Sequence, residues 1–414
     1  MLQELFPRVH HQYSSLPVLG ATLESFAVFL VQRGYPKALV HRHIRVTRRI
    51  DAKLREQRCQ SIGEVTRENL RVCAPPSGRA HDDARSSAVV RLLETFLDEQ
   101  GLLPPPEPSS PAEQKLAEYG RYLHQVRGLA PPTIPAHLAT ASQFVPHLGG
   151  QGGWAHFPRL IAAELEGFVQ QTGHRVSRAT LQHTVAHLRS LLRFLAAQGE
   201  IPVGLDTQID TPRVYRGEQL PRALPWATVS GFLGSIDRST PLGKRDYAMF
   251  QLIVNYGLRA SEVVGLCLDD VQWRAGRLLV TQCKTATPLE LPLTDAVGAS
   301  LVRYLRRGRP QGPYREIFLR HRAPAGVLKP TAVTEAFQAW SRRSGLAIPF
   351  QGAHCLRHSY AIHLLRQGAS LRTIGAILGH RSAESTCVYL RFAVEDLREV
   401  ALDLPSDALE EGGS

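Results

Sequence analysis

The amino-acid sequence predicts a mainly helical protein with one small β-sheet. Apolar residues recur at helical spacing through segments such as 178–198, 354–367 and 371–378. One pair of neighbouring segments, 277–281 and 289–293, has the composition and the short intervening turn of a β-hairpin. Because helical segments dominate and strands are few, we expect all-helical domains together with one α+β domain.

Two linkers set the domain boundaries. Residues 104–111 include five prolines, which favour a stiff extended spacer over a helix or a central strand. Residues 204–223 are polar and contain further prolines and glycines. The predicted units are, in chain order, an additional helical domain at 1–103, the linker 104–111, a helical domain at 112–203, the linker 204–223, an α+β domain at 224–405 and an acidic flexible tail at 406–414.

The two helical domains resemble each other. Arg33-Gly34 recurs 94 residues later as Arg127-Gly128, and Gln100-Gly101 recurs 98 residues later as Gln198-Gly199. We infer a duplicated helical module; chance similarity between amphipathic helices is the alternative.

Charge and composition favour a polyanionic partner inside a cell. The chain has 49 lysine and arginine residues against 37 acidic ones, a net charge of +12 and a pI near 9.7. Charge alone does not separate DNA from RNA or an acidic surface. The six cysteines form no CxxC pair, and no apolar run approaches a membrane span or a signal sequence. We therefore expect a cytoplasmic protein with no membrane partner.

The candidate site residues stand in four short motifs. These are Gly257-Leu258-Arg259, His354-Cys355-Leu356-Arg357-His358, Leu378-Gly379-His380 and Tyr389. Two guanidinium groups beside two imidazoles and a phenol suit one phosphate, because paired N–H donors stabilise the charge that builds on phosphate oxygens during attack. His354 and Arg357 are three apart at the start of a helix, so both can reach one site.

Helix capping supports this arrangement. Gly368 is predicted to end the helix that begins near 354. Ser370 is the predicted N-cap of the next helix, and Gly379 its C-cap, which delivers His380 from a turn.

The motifs resemble the tyrosine recombinases, also called the phage integrase family. The family pattern is an arginine with a nearby acidic residue, a hairpin lysine, HxxR, LGH and a tyrosine, all in this order. Arg259 and Glu262 match the first motif, and Lys284 matches the lysine by lying eight residues before Pro292. The resemblance covers residues 216–402, and more loosely 112–203. It implies an α+β tyrosine-recombinase catalytic domain preceded by two small all-helical DNA-binding-type domains.

The resemblance also implies a mechanism. Tyr389 attacks the scissile phosphate, becomes joined to the 3′-phosphate and releases a 5′-hydroxyl. A free tyrosine has a pKa of about 10 and needs a proton acceptor at neutral pH, for which His354 is the candidate. Lys284 protonates the departing 5′ oxygen.

The remaining site residues stabilise charge in this mechanism. Arg259 and Arg357 hold the non-bridging oxygens, His380 donates a further hydrogen bond, and Glu262 supports this group. The resemblance requires no metal and no cofactor.

DNA contacts and assembly follow from the same resemblance. The 112–203 module resembles the family's core-binding domain, and the basic side of its helix 178–198 carries Arg178, Arg189 and Arg193, which either touch phosphate or are solvated. The first module either reads additional DNA or holds a partner protomer. A helix at 394–402 is expected to dock onto a neighbouring protomer or onto its own chain.

We therefore expect a site-specific DNA recombinase of the integrase or transposase type, from a bacterial mobile genetic element and associated with the nucleoid. Its expected partners are double-stranded DNA at specific sites and copies of itself, as a dimer on one site and a tetramer around a Holliday junction; accessory recombinases are left open. The alternatives are a DNA-binding accessory protein without cleavage activity and a type IB topoisomerase-like enzyme.

A zinc hydrolase is a further alternative, because His354 and His358 are four apart and His363 lies nearby. Cys355 stands where a zinc protease would carry its glutamate, which weighs against it.

Overall fold

The structure is a computed structural model of the chain. It describes residues 1–74, 81–103, 111–148, 153–213, 221–282, 288–380, 382 and 384–391, with the backbone alone at 81–85 and 153–155. The chain divides into two compact units. One contains residues 1–102 together with 219–414, and the other contains residues 103–218.

The predicted fold class is confirmed, since the described residues are mostly helical and include one three-stranded sheet. In the parts of the chain that the structure describes, no helix has the length and apolar character needed to cross a membrane.

The N-terminal module is a small helical bundle. Its helices are α1 (Leu2–Leu5), α2 (His10–Ser14), α3 (Leu23–Gln32), α4 (Lys37–Glu56), α5 (Arg67–Cys73) and α6 (His81–Glu99). Gly34 follows α3 and Gly101 follows α6, both with positive φ. A backbone hydrogen bond of 2.8 Å from Ala325 to Arg33 joins this module to the C-terminal part of the same unit.

The second unit repeats the order of the last four of these helices, α3 to α6. It contains α7 (Pro111–Gln125), α8 (Ile134–His147), α9 (Ala162–Gly173) and α10 (Arg178–Ala197). Gly128 and Gly199 have positive φ at the places that correspond to Gly34 and Gly101, which agrees with the inferred duplication. Its core continues to Leu205 and Ile209, so the packed unit extends into the segment that the sequence assigned to the second linker.

The C-terminal part places a hairpin among helices. Its helices are α11 (Trp226–Ser235), α12 (Pro241–Tyr256), α13 (Ala260–Gly265), α14 (Asp295–Arg307), α15 (Pro330–Ser344), α16 (His354–Arg366), α17 (Leu371–Leu378) and α18 (Glu384–Cys387). Its strands are β1 (Val271–Gln272), β2 (Arg277–Thr281) and β3 (Pro288–Pro292), antiparallel in the order β1-β2-β3.

The predicted hairpin is confirmed. Strands β2 and β3 pair from Arg277 opposite Pro292 to Thr281 opposite Pro288. Strand β1, with only two residues, was not predicted, because so short a segment has no readable alternation.

Candidate active site

The first arginine of the site is fixed by a helix junction. Helix α12 ends at Tyr256 and is capped by Gly257, whose φ of 65° is left-handed. The chain then turns directly into α13, with Arg259 as its N-cap. The buried Glu262 accepts hydrogen bonds from the Arg259 backbone nitrogen at 2.8 Å and from Nη1 at 2.6 Å. Because this carboxylate holds both ends of Arg259, the guanidinium is oriented before any substrate binds.

Arg357 joins the other motifs to this junction. Its side chain is 2% exposed, Nη1 donates to the Gly257 carbonyl, and Nη2 donates to the Leu378 carbonyl at 2.7 Å. One guanidinium therefore ties α16 to the ends of α12 and α17. A guanidinium has five N–H donors, so the two bonds leave others for a ligand.

The two arginines make a site of positive charge. Burial, and then the charge of Arg259, lower the pKa of Arg357 to about 10, while Glu262 and Tyr389 oppose this shift. Two guanidinium groups against one carboxylate leave one excess positive charge in a largely buried place. An anion that binds there would relieve the repulsion, which is the electrostatic character of a phosphate site.

His380 enters the same site from the end of α17. The Ser370 hydroxyl accepts from the Thr373 backbone nitrogen at 3.1 Å, and Gly379 closes the helix with a φ of 61°, as the sequence predicted. His380 Nδ1 lies 2.8 Å from the hydroxyl oxygen of Thr386. Burial, then Arg357 and Arg259, lower the pKa of His380 to about 4, so its imidazole is neutral at physiological pH.

Tyr389 is buried beside these groups. Its side chain is 1% exposed and packs in a small apolar cluster that includes Ala361, Ile374 and Leu378. Burial raises the pKa of Tyr389, and the charges of Arg357 and Arg259 partly oppose this effect. The structure thus brings Tyr389, both arginines and His380 together.

The hydroxyl of Tyr389 contacts His358. The oxygen lies 3.0 Å from His358 Nδ1, within hydrogen-bond distance. No role in the phosphate site was predicted for His358, so this contact was missed. The available signal was spacing: His354 and His358 are four apart, and their rings meet edge to face at 4.6 Å on one side of α16.

The low pKa of His358 indicates that this histidine orients the Tyr389 hydroxyl and does not accept its proton. Burial first, then the neighbouring His354 and Arg357, lower the pKa of His358 to about 4. Burial also raises the pKa of Tyr389 from its ordinary value of 10. Because both shifts oppose the transfer, moving the phenol proton onto His358 is strongly unfavourable in this state. His358 suits a hydrogen-bond partner better than a proton acceptor in this state.

Several predicted features lie outside the described residues, namely Lys284, the helix at 394–402, the tail at 406–414 and residues 104–110 of the first linker. The strands on both sides of Lys284 are described. Gln282, the residue after β2, packs directly against Gly379: a Cβ added to that glycine would be 1.8 Å from Gln282 Nε2. The end of β2 therefore approaches the turn that carries His380. Among the described residues, no three histidine, cysteine or acidic side chains are grouped as a metal site would require.

The predicted DNA-contacting arginines of α10 differ in their surroundings. Arg178 is exposed. Arg189 donates to the Ile209 carbonyl at 2.5 Å, and Arg193 pairs with Asp206 at 2.7 Å. The latter two hold the segment after α10 onto their own unit. Their contact with DNA stays a prediction.

We expect Gly257→Ala to reduce the free energy of unfolding by about 2–4 kcal/mol. A Cβ there would meet Leu378 Cδ2 at 2.5 Å and Tyr360 Cδ1 at 2.9 Å, in addition to the strain of a positive φ. Gly345→Ala is the matched control. It also caps a helix with positive φ, but nothing lies within 4 Å, so a loss of about 1 kcal/mol is expected. Urea unfolding of both variants measures the difference, and equal losses would contradict the packing argument.

Comparison with known proteins places the chain in a family. The family model described as "Phage integrase family" matches residues 228–395. A Sinorhizobium fredii protein named "Putative integrase/recombinase y4rA" is 33% identical over 92% of this chain and 94% of its own length. "Tyrosine recombinase XerD" of Listeria monocytogenes is 31% identical over 69% of this chain and 96% of its own length. The chain belongs to the phage integrase family, the tyrosine recombinases. Members of this family are enzymes that cleave and rejoin DNA.

Solved structures share the fold. The XerH site-specific recombinase bound to a palindromic difH substrate has a TM-score of 0.56 at 18% identity, over 82% of this chain and 93% of that one. The Tn1549 transposon integrase in complex with transposon right-end DNA has a TM-score of 0.54 at 14% identity, over 69% of this chain and 99% of that one.

Proposed function

We propose that this site-specific DNA recombinase cuts one DNA strand with Tyr389 as nucleophile and without a metal ion. The Tyr389 oxygen bonds to phosphorus, the bond from phosphorus to the 5′ oxygen breaks, and a 3′-phosphotyrosine link and a free 5′-hydroxyl result. A 5′-hydroxyl from a second duplex then attacks the link and releases the tyrosine. Two such exchanges pass through a Holliday junction and join new partners.

One observation carries the proposal. The buried Tyr389 is close enough to Arg357 and Arg259 for their charges to lower its pKa, and a single carboxylate, that of Glu262, balances these two positive charges. A scissile phosphate supplies the anion that this site lacks. Arg259 and Arg357 stabilise its non-bridging oxygens, and the neutral His380 donates a hydrogen bond to them.

Two protons must move in the cleavage step. The phenol proton goes to His354, which is exposed and lies beside His358 at the start of α16. His358 orients the hydroxyl and does not accept its proton, because the pKa of His358 is too low. Lys284, which follows strand β2 where that strand approaches the His380 turn, gives the proton that the 5′ oxygen needs.

The partner is double-stranded DNA, and the active assembly contains several copies of the chain. The structural neighbours include a lambda integrase tetramer bound to a Holliday junction and the XerH–difH complex. For this chain we propose a dimer on each site and a tetramer in the synapse, with the segment 394–402 as the docking element. Topoisomerase-like relaxation and a binding-only role are not favoured, because the relatives are recombinases.

Trapping the covalent intermediate tests the proposal. Full-length protein is incubated in EDTA with fragments of its own genomic surroundings, denatured with detergent and digested with protease. We expect DNA linked through its 3′ end to a peptide that contains Tyr389, with 5′-hydroxyl ends clustered at one locus. Mass spectrometry identifies the peptide, and sequencing identifies the locus.

The same experiment can overturn the proposal. A peptide linked to DNA through another residue would show that Tyr389 is not the nucleophile. Adducts that form only after magnesium is added would show that cleavage requires a metal ion. Tight binding of the fragments without any adduct would favour the binding-only alternative.

A further inference from the structure

The exposed half of α4 in the N-terminal module is strongly basic. Helix α4 carries seven lysine and arginine residues and two acidic ones, while the rest of residues 1–102 has eight basic and nine acidic residues. The excess positive charge of this module therefore lies on one helix. All seven basic side chains are exposed, and together we call them the basic face of α4: Lys37, Arg42, Arg45, Arg48, Arg49, Lys53 and Arg55.

Helical geometry separates this face from the core. The opposite half of α4 carries Val40, Ile44, Ile50 and Leu54, each at most 1% exposed. One of the two acidic residues, Asp51, is also on the buried half. Its carboxylate accepts from the backbone nitrogens of Val18 and Leu19 at 3.0 and 2.8 Å. Asp51 thus fixes an internal turn, and the exposed half presents a single carboxylate at its end.

Several members of the basic face have structural contacts within the module. Lys37 lies 3.5 Å from Glu4, Arg55 lies 3.3 Å from Asp51, and Lys53 donates to the Cys73 carbonyl. Arg42 and Arg45, one turn apart, have no ion pair or hydrogen bond among the described residues. These two arginines are the clearest candidates for an external anion.

The duplicated module does not repeat this feature. The corresponding helix α8 contains no lysine or arginine, although the order of helices is the same. The charge of α4 is therefore not a requirement of the bundle fold. A helix of 20 residues is about 30 Å long, which is enough to follow several phosphates of a duplex.

The geometry points to the basic face of α4 as a second DNA-binding surface, which contacts duplex phosphates through Arg42 and Arg45 without reading sequence. The choice of DNA rests on the proposed function. A membrane surface fits less well, because amphipathic membrane helices insert their apolar half, and that half of α4 is buried within the module.

The salt dependence of DNA binding tests this inference. Full-length protein is titrated with a generic 40-base-pair duplex at several salt concentrations. In Arg42→Gln/Arg45→Gln, we expect the slope of log affinity against log salt to become less negative by roughly 1.8, as for two lost phosphate contacts. The affinity at 0.1 M salt should fall at least about 10-fold. Arg71→Gln/Arg91→Gln is the control, because it removes two exposed arginines of the same module outside α4; its slope should not change.

A charge-conserving variant separates contact from folding. Arg42→Lys/Arg45→Lys keeps both positive charges and should keep the slope. If the lysine variant weakens binding as much as the glutamine variant, or if both glutamine pairs reduce the slope equally, the surface is not a specific phosphate contact. If Arg42→Gln/Arg45→Gln loses binding to phosphatidylglycerol vesicles but binds DNA as the wild type does, the ligand of this face is a membrane surface and not DNA.

Adduct formation by wild type is measured in parallel and reports on the proposed function alone. Normal adducts with an unchanged slope in the α4 variant would reject only the inference about α4. Absent adducts with a reduced slope would reject only the cleavage mechanism.

Discussion

Tyr389→Phe should abolish the covalent adduct while leaving DNA binding intact. Loss of a catalytic nucleophile lowers rates by roughly 10⁶-fold in well-studied enzymes, so cleavage should become undetectable. The phenyl ring fills the same apolar pocket beside Ala361 and Leu378. The hydroxyl's contact with His358 is lost, which leaves a buried polar atom unpaired and costs about 1–2 kcal/mol of folding stability.

The assay is single-turnover cleavage of the locus identified by adduct mapping, alongside urea unfolding and DNA affinity. Tyr360→Phe is the matched control, because Tyr360 packs against the same cluster and the change also removes one phenol oxygen. The control should cleave at the wild-type rate. Adducts that persist in Tyr389→Phe would assign the nucleophile to another residue.

Local features of the catalytic part were readable in the sequence because they depend on near neighbours. The hairpin was visible in two short apolar segments, and β2 and β3 pair as predicted. The cap at Ser370 and the turn at Gly379 follow from a hydroxyl at the N-terminus and a residue without Cβ at the C-terminus. The conjunction of motifs then identified which side chains share one site.

Contacts that depend on tertiary packing were not readable in the same way. The spacing from His354 indicates which side of α16 carries His358, but it does not specify that Tyr389, 31 residues later in the chain, packs against that side. The sequence left two alternatives for Arg193, a solvated side chain or a phosphate contact. Its partner Asp206 belongs to a segment assigned to a linker, which folds back because Leu205 and Ile209 are buried in the core.

Arg357→Lys should reduce cleavage by about 10³-fold or more, although charge is retained. The guanidinium bonds two buried carbonyls, of Gly257 and Leu378, and still presents N–H donors to a ligand. A lysine ammonium on a flexible stem cannot span both carbonyls and hold a phosphate as well. Loss of a single preorganised donor to a transition-state oxygen typically costs 10²–10³-fold.

The same change should also lower stability by about 1–3 kcal/mol, because one buried carbonyl loses its donor. Cleavage must therefore be expressed per folded molecule, with the folded fraction taken from urea unfolding at the assay temperature. Arg245→Lys is the control: Arg245 is buried in the same part of the chain, where it pairs with Asp246. Its substitution should cost comparable stability and leave cleavage per folded molecule near wild type. If Arg357→Lys recovers normal cleavage after this correction, Arg357 acts only as a structural tie between the helix ends, and the phosphate is held by Arg259 without it.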